Sequence, residues 1–233
     1  MPDVLSRQVI HMSDDAWDTE RMEYFSDAII AIAATLLVVE LKPPRSESLA
    51  GGTLWDALAH DLPNFVAFAV SFVFIGIAWA AHHDMFRYIR RTNHGLLILN
   101  LIFLMAIALQ PFSTALVAEH YGKPDERTAA LVYYGILLSV SLSYNAVWWY
   151  AVQGGLVSED LDPRLLRRLS LEHIAAPVLH AVALVVAIWS VPLSFIPLGM
   201  VYLLFALPRV TERWAAKGRL FPPLTGPRPT EML

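Results

Sequence analysis

Cysteine is absent from the 233-residue chain, which excludes a disulfide framework, a thiolate nucleophile and any cysteine-ligated metal centre. Charge is scarce too. Asp, Glu, Lys and Arg make up 16% of the sequence, against about 25% in an ordinary soluble domain. The balance is −4 with a pI near 6.0, so the basic footprint of a nucleic-acid binder is missing. No internal repeat is evident. The first twenty residues hold Asp3, Asp14, Asp15, Asp18 and Glu20 without an apolar core, which reads against a signal peptide. What fills the space is apolar: 56% of residues are hydrophobic and mean hydropathy is +0.50. The excess lies in long runs almost free of charge, punctuated by proline and glycine. Those runs exclude an ordinary cytosolic enzyme and a disordered chain.

A helix rises about 1.5 Å per residue, so about 20 apolar residues cross the roughly 30 Å hydrocarbon layer. Six runs qualify: Met22–Leu41, Leu62–His82, Gly95–Ala118, Thr128–Val152, Leu171–Ser190 and Pro192–Leu207. The last is short and contains Pro192 and Pro197. A five-span alternative would merge the final two, but 172–207 is too long for one straight span, and Val191-Pro192 supplies a turn. The expected class is therefore all-α integral membrane protein with six transmembrane helices. The expected layout is an N-terminal segment 1–20, a membrane domain 21–208 and a Pro-rich tail 209–233.

Lys and Arg set the orientation. With six spans, the two termini and the 83–94 and 153–170 loops share one side and hold thirteen basic residues. Lys42, Arg45, Lys123 and Arg127 are the four on the other. Both termini are thus expected in the cytoplasm, in a multi-pass protein of the cell membrane.

The first span reads RMEYFSDAIIAIAATLLVVELKPP from Arg21 to Pro44. Polar groups inside hydrocarbon are functional suspects. With Ile32 as zero on a helical wheel, Phe25, Ala28, Ile29, Thr35, Leu36 and Val39 lie within about 60°, while Ser26 and Asp27 lie about 120° and 140° away. One face is an uncharged stripe with one hydroxyl; the other carries the carboxylate. The wheel does not say which face meets lipid and which a pore. Threonine in a membrane helix commonly bonds its own backbone. Glu40, about 80° from Ile32, either draws cations to the outer mouth or is simply solvated.

Antiparallel neighbours place Trp79, His82 and His83 from the second span, and Asn93 and Asn100 around the third, at the depth of Ser26 and Asp27. Together they read as a polar clasp in which hydrogen-bonding groups satisfy one another. Arg21 either joins it or snorkels to the interface. His82 and His83 are adjacent, and neighbours on a helix point about 100° apart, which disfavours a shared metal ion. Trp148, Trp149 and Tyr150 read as an interfacial aromatic belt.

The string from Arg21 to Pro44 resembles the signature of the transmembrane protein 175 family, the lysosomal-type potassium channels and their prokaryotic relatives. Arg21, Phe25, Ser26, Asp27, Ala31, Ile32, Thr35 and Leu36 carry the match. Trp79, His83, Phe86, Asn93, Leu97, Asn100, Pro111 and Phe112 extend it. Ala28 and Val39 depart from the Gly and Leu usual at those positions. The resemblance implies a single-repeat member that assembles as a homotetramer, its first helices lining a central pore. It implies an apolar constriction at Ile32, further rings at Leu36 and Val39, and a part for Thr35 in potassium preference. It places the Phe-Ser-Asp group in structural ties away from the pore. The TVGYG filter of ordinary potassium channels is absent, as in the family.

The function expected on these grounds is a leak-like potassium channel whose apolar rings gate by dewetting. Its partners are potassium ions, the bilayer and copies of itself; no cofactor, metal or nucleic acid is expected. The alternative is a proton-coupled or cation secondary transporter, which usually has broken helices near the midplane. The first helix has no Gly or Pro between Arg21 and Lys42. An intramembrane enzyme would need a nucleophile, a base and an oxyanion segment around Ser26, Asp27 and His83. No such glycine-rich segment accompanies them, so the protein reads as a non-enzyme.

Overall fold

A computed structural model describes residues 19–44 and 52–206. Asp18, Arg45, nearly all of the N-terminal segment and the Pro-rich tail lie outside the described residues. The described chain is helical: α1 (Thr19–Leu36), a 3-10 turn (Leu37–Glu40), α2 (Leu54–His60), α3 (Leu62–Phe86), α4 (His94–Ala108), α5 (Gln110–His120), α6 (Glu126–Gln153), α7 (Pro163–Ala187) and α8 (Val191–Ala206). Five segments are long and apolar enough to cross a membrane: Thr19–Glu40, Leu62–Phe86, His94–His120, Glu126–Gln153 and Pro163–Ala187. Of the six expected spans, the last is the short one. Val191–Leu203 is apolar but below full crossing length.

Several boundaries run past the apolar edges expected from sequence, because helical hydrogen bonding continues into polar flanks. The second span extends to Phe86 and the fifth starts eight residues early, at Pro163. Proline explains the other departures. The third span is broken at Leu109, where Pro111 opens α5. Proline cannot donate to the carbonyl of Ile107 four residues back; the Leu109 N–H bonds it instead. Pro177 sits inside α7 and leaves the His173 carbonyl without its helical donor. Asn145 of α6 donates its side-chain amide to that carbonyl at 2.8 Å. The helix therefore continues through the proline.

Outside the spans, Thr53 caps α2 in a reciprocal box with Asp56. The Thr53 backbone N–H and hydroxyl both bond the Asp56 carboxylate and hold its pKa below the usual range. At the other end of the bundle, the loops after α3 and α6 meet. The Arg90 N–H donates to the Leu156 carbonyl at 2.9 Å, and Ser158 N–H to that of Tyr88 at 2.9 Å.

The core has two parts. One gathers Ile30, Leu37, Phe74, Phe103, Tyr134 and Ala183. The other gathers Met22, Met85, Leu96, Trp148 and Leu169. α1 contributes to both, because Met22, Ser26, Ile30 and Ala33 form its buried edge.

Candidate functional site

α1 and the 3-10 turn after it have an inward and an outward side, and α1 packs against α3 and α4. Met22, Ser26, Ile30, Ala33 and Leu37 are turned inward. Phe25, Ala28, Ile32, Thr35, Leu36 and Val39 are exposed along the opposite side. Ile32 keeps 57% of its surface free, Leu36 47% and Val39 65%. For large aliphatic side chains in a 26.0 kDa chain, that is a continuous uncovered strip, and Tyr24 and Val38 are exposed beside it.

The helix tightens where the strip ends. Residues three apart eclipse in a 3-10 turn, so the Leu37–Glu40 segment keeps Val39 in line with Leu36. Thr35 lies just before this change. Its hydroxyl donates to the Ile32 carbonyl three residues back at 2.9 Å, which occupies its proton and leaves the oxygen only the capacity to accept.

The polar residues expected to form one clasp divide into two groups. The inner group is buried. His82 Nε2 donates to Asn100 Oδ1 at 2.9 Å. Asn100 Nδ2 donates to Ser26 Oγ at 2.8 Å, and Ser26 Oγ donates to the Met22 carbonyl at 2.8 Å. The amide oxygen of Asn100 can only accept, so this bond sets the proton of His82 on Nε2. The imidazole is stacked on Phe103, with centroids 5.3 Å apart, and lies against Phe86. This chain of bonds ties α1, α3 and α4 together.

The outer group is separate. Trp79 Nε1 donates to Asp27 Oδ1 at 3.0 Å, and the exposed ring of His83 stacks on the indole. Asn93 joins neither group; its side chain accepts from Leu96 N–H and caps α4. Phe25 and Arg21 are exposed on α1, away from the inner group.

Some ties leave little signal in the sequence. Trp148 is not part of an interfacial belt: it is fully buried and donates to Ser170 Oγ at 3.0 Å. Trp149 and Tyr150 stay partly exposed, since three consecutive helical residues cannot share one face. His173 lies between Tyr144 and Trp148, with centroid separations of 5.0 and 4.7 Å. Aromatics four apart on α6 are the available hint of such a clamp. Thr114, Ser71 and Tyr133 hydroxyls form a further buried set linking α5, α3 and α6.

An all-helical fold with five membrane-length segments, one of them polar-tied and presenting a bare apolar strip, defines the class: a multi-pass membrane protein. Residues 21–111 match the family described as Endosomal/lysosomal potassium channel TMEM175. A protein of Streptomyces collinus named as a potassium channel is 33% identical over 83% of this chain and 94% of its own length. The chain belongs to the TMEM175 family. The crystal structure of a lysosomal potassium-selective channel TMEM175 homologue from Chamaesiphon minutus superposes with a TM-score of 0.74 at 34% identity, covering 81% of this chain and 96% of that one. The Gallus gallus protein named Endosomal/lysosomal proton channel TMEM175 is 32% identical over 57% of this chain, which is 28% of that larger protein.

Proposed function

We propose that this protein is a leak-like, potassium-selective channel in which residues 21–208 form the membrane domain and four α1 helices surround a central pore. The bare strip of α1 carries this reading: Ile32, Leu36 and Val39 are exposed while the opposite face is fastened by Ser26, Asn100 and His82. Four Ile32 side chains on a shared axis close the pore by excluding water and open it with a small separation. Leu36 and Val39 add apolar rings in register. Thr35 presents a collar of hydroxyl oxygens, a weakly polar surface that favours potassium because it sheds water more readily than sodium. The names of the Streptomyces and Chamaesiphon relatives support potassium as the ion. The basic loops support cytoplasmic termini in the cell membrane. No part of this scheme asks for a catalytic residue or a cofactor.

A second possibility, suggested by the name of the Gallus gallus relative, is that protons pass as well. A proton-coupled transporter would employ Asp27, the histidines and Glu40 as proton carriers. α1 runs unbroken from Thr19 to Leu36, unlike the discontinuous helices of carriers. Purified protein in planar bilayers under opposing potassium and sodium gradients separates these functions. Unitary currents reversing near the potassium potential are expected. Slow, saturating flux without unitary events would favour a carrier, and reversal that follows a pH gradient would favour protons.

A further inference from the structure

One side of α7 is uncovered along most of its length. Leu171, Ile174, Val178, Val182 and Val185 keep 41–60% of their surfaces free. At 100° per residue these five fall with Arg164 and Arg167 inside an arc of about 80°, so two guanidinium groups head a single aliphatic stripe. Both arginines ride on the polar stretch by which α7 precedes its apolar run, from Pro163 onward. From Leu171 to Val185 the stripe runs about 21 Å at 1.5 Å per residue, longer than one leaflet's half of the roughly 30 Å hydrocarbon layer. α7 is long and apolar enough to cross that layer, which puts Arg164 and Arg167 at headgroup level.

Three other arginines at this end of the bundle have a carboxylate close by. Arg87 lies 3.9 Å from Asp84, Arg91 3.8 Å from Glu159 and Arg168 3.6 Å from Glu172. Arg164 and Arg167 are exposed and pair with no carboxylate among the described residues. Asp162 is taken up by the helix end, where it accepts the Arg164 N–H at 2.8 Å, and Asp160 lies in the turn ahead of the helix. Residues three apart on a helix are neighbours, so the two guanidinium groups can hold one phosphate between them, each with paired N–H donors. A zwitterionic lipid brings its own cation to that phosphate and gains less from the arginines. Free phosphate gains the charges but leaves the stripe unused. We propose that this face of α7 holds an anionic glycerophospholipid, its single phosphodiester between Arg164 and Arg167 and an acyl chain along Leu171, Ile174 and Val178. The site requires α7 to cross the bilayer and is independent of conduction along α1.

The test uses the full chain purified in detergent, with phosphatidylglycerol and phosphatidylcholine of identical acyl chains as probes and bound lipid counted by native mass spectrometry. Phosphatidylglycerol is expected to bind about tenfold more tightly, the difference one charged, hydrogen-bonded partner makes. Arg164→Gln combined with Arg167→Gln should bring it down to the level of phosphatidylcholine. Lys123→Gln combined with Arg127→Gln removes the same charge at the opposite end of the bundle and should leave the preference intact. A phosphatidylglycerol with a photoactivatable diazirine in its acyl chain should label residues 171–185, and inorganic phosphate should not displace it. Equal binding of the two lipids would overturn the proposal, as would a preference that survives the paired arginine variant or falls as far in the control. Displacement by phosphate would overturn the lipid in favour of a free anion. Labelling of 171–185 only in dissociated protein would also overturn it, because a second copy would then cover the stripe. Where a variant fails to assemble, the wild-type lipid comparison and the labelled residues decide the matter.

Discussion

At the scale of single residues, the bundle is held by side chains that take up backbone or side-chain groups left without a partner. Asn145 is the clearest case. It serves the His173 carbonyl that Pro177 cannot reach. Asn145→Ala should cost about 1–2 kcal/mol, because a carbonyl is then left bare in an apolar setting. In a Pro177→Ala background the helix supplies its own donor, so the same substitution should cost less. A double-mutant cycle read by thermal unfolding in detergent measures the difference, and an additive result would contradict this role for Asn145. Asn100→Ala should cost a similar amount, since it strips His82 and Ser26 of their shared partner. These residues differ in how visible they are in the sequence. Ser26, Asn100 and His82 stand out as polar groups within apolar runs at one depth. That Asn93 instead caps α4, and that Asn145 serves a proline one helix away, depends on register between helices, which spacing along one chain does not contain.

At the scale of elements, α1 combines a fastened face with a bare one. The helical wheel contains that division, since Ile32, Leu36 and Val39 fall together at 100° per residue. It does not contain the 3-10 turn at Leu37–Glu40, because backbone tightening leaves no mark in hydropathy. Thr35 sits at that junction. Thr35→Val preserves shape and removes the oxygen, so potassium-over-sodium preference in bilayers should fall while assembly is unchanged. An unchanged permeability ratio would take Thr35 out of the selectivity scheme. Ile32→Asn should raise leak and bring the ratio toward unity, because a polar ring stays wet. The short α2 gives a pH prediction outside the membrane. Its Asp56 carboxylate is held below its ordinary value by Thr53. The cap is therefore complete above the unfolded carboxylate pKa of about 3.9 and is lost as pH falls through the lower folded value. Amide exchange at Thr53 should accelerate only in that acidic window.

At the scale of the whole molecule, the order of helices is legible in the sequence because a long uncharged run is hard to place anywhere but in hydrocarbon. The helix ends are less so. Polar flanks continue α3 and α7 beyond their apolar limits, and Pro111 divides the third span into α4 and α5. The strip on α1 is exposed in the single chain, and the proposed pore needs further copies to close around it. Asp27→Ala, which removes the acceptor of Trp79, should shift purified protein from the proposed tetramer toward smaller species by size-exclusion chromatography with light scattering. A stable tetramer with abolished, pH-linked flux would instead make Asp27 a transport residue. The absence of native cysteine permits the most direct measurement. In Ile32→Cys, the introduced thiol is the only one in the protein. A membrane-impermeant cationic thiol reagent, added during bilayer recording, should reach it and reduce the current, while Val178→Cys on the exposed side of α7 should show no effect. Current that ignores the reagent in Ile32→Cys, with the thiol reacting only with lipid-soluble maleimide, would place the strip against lipid and contradict a pore built from α1.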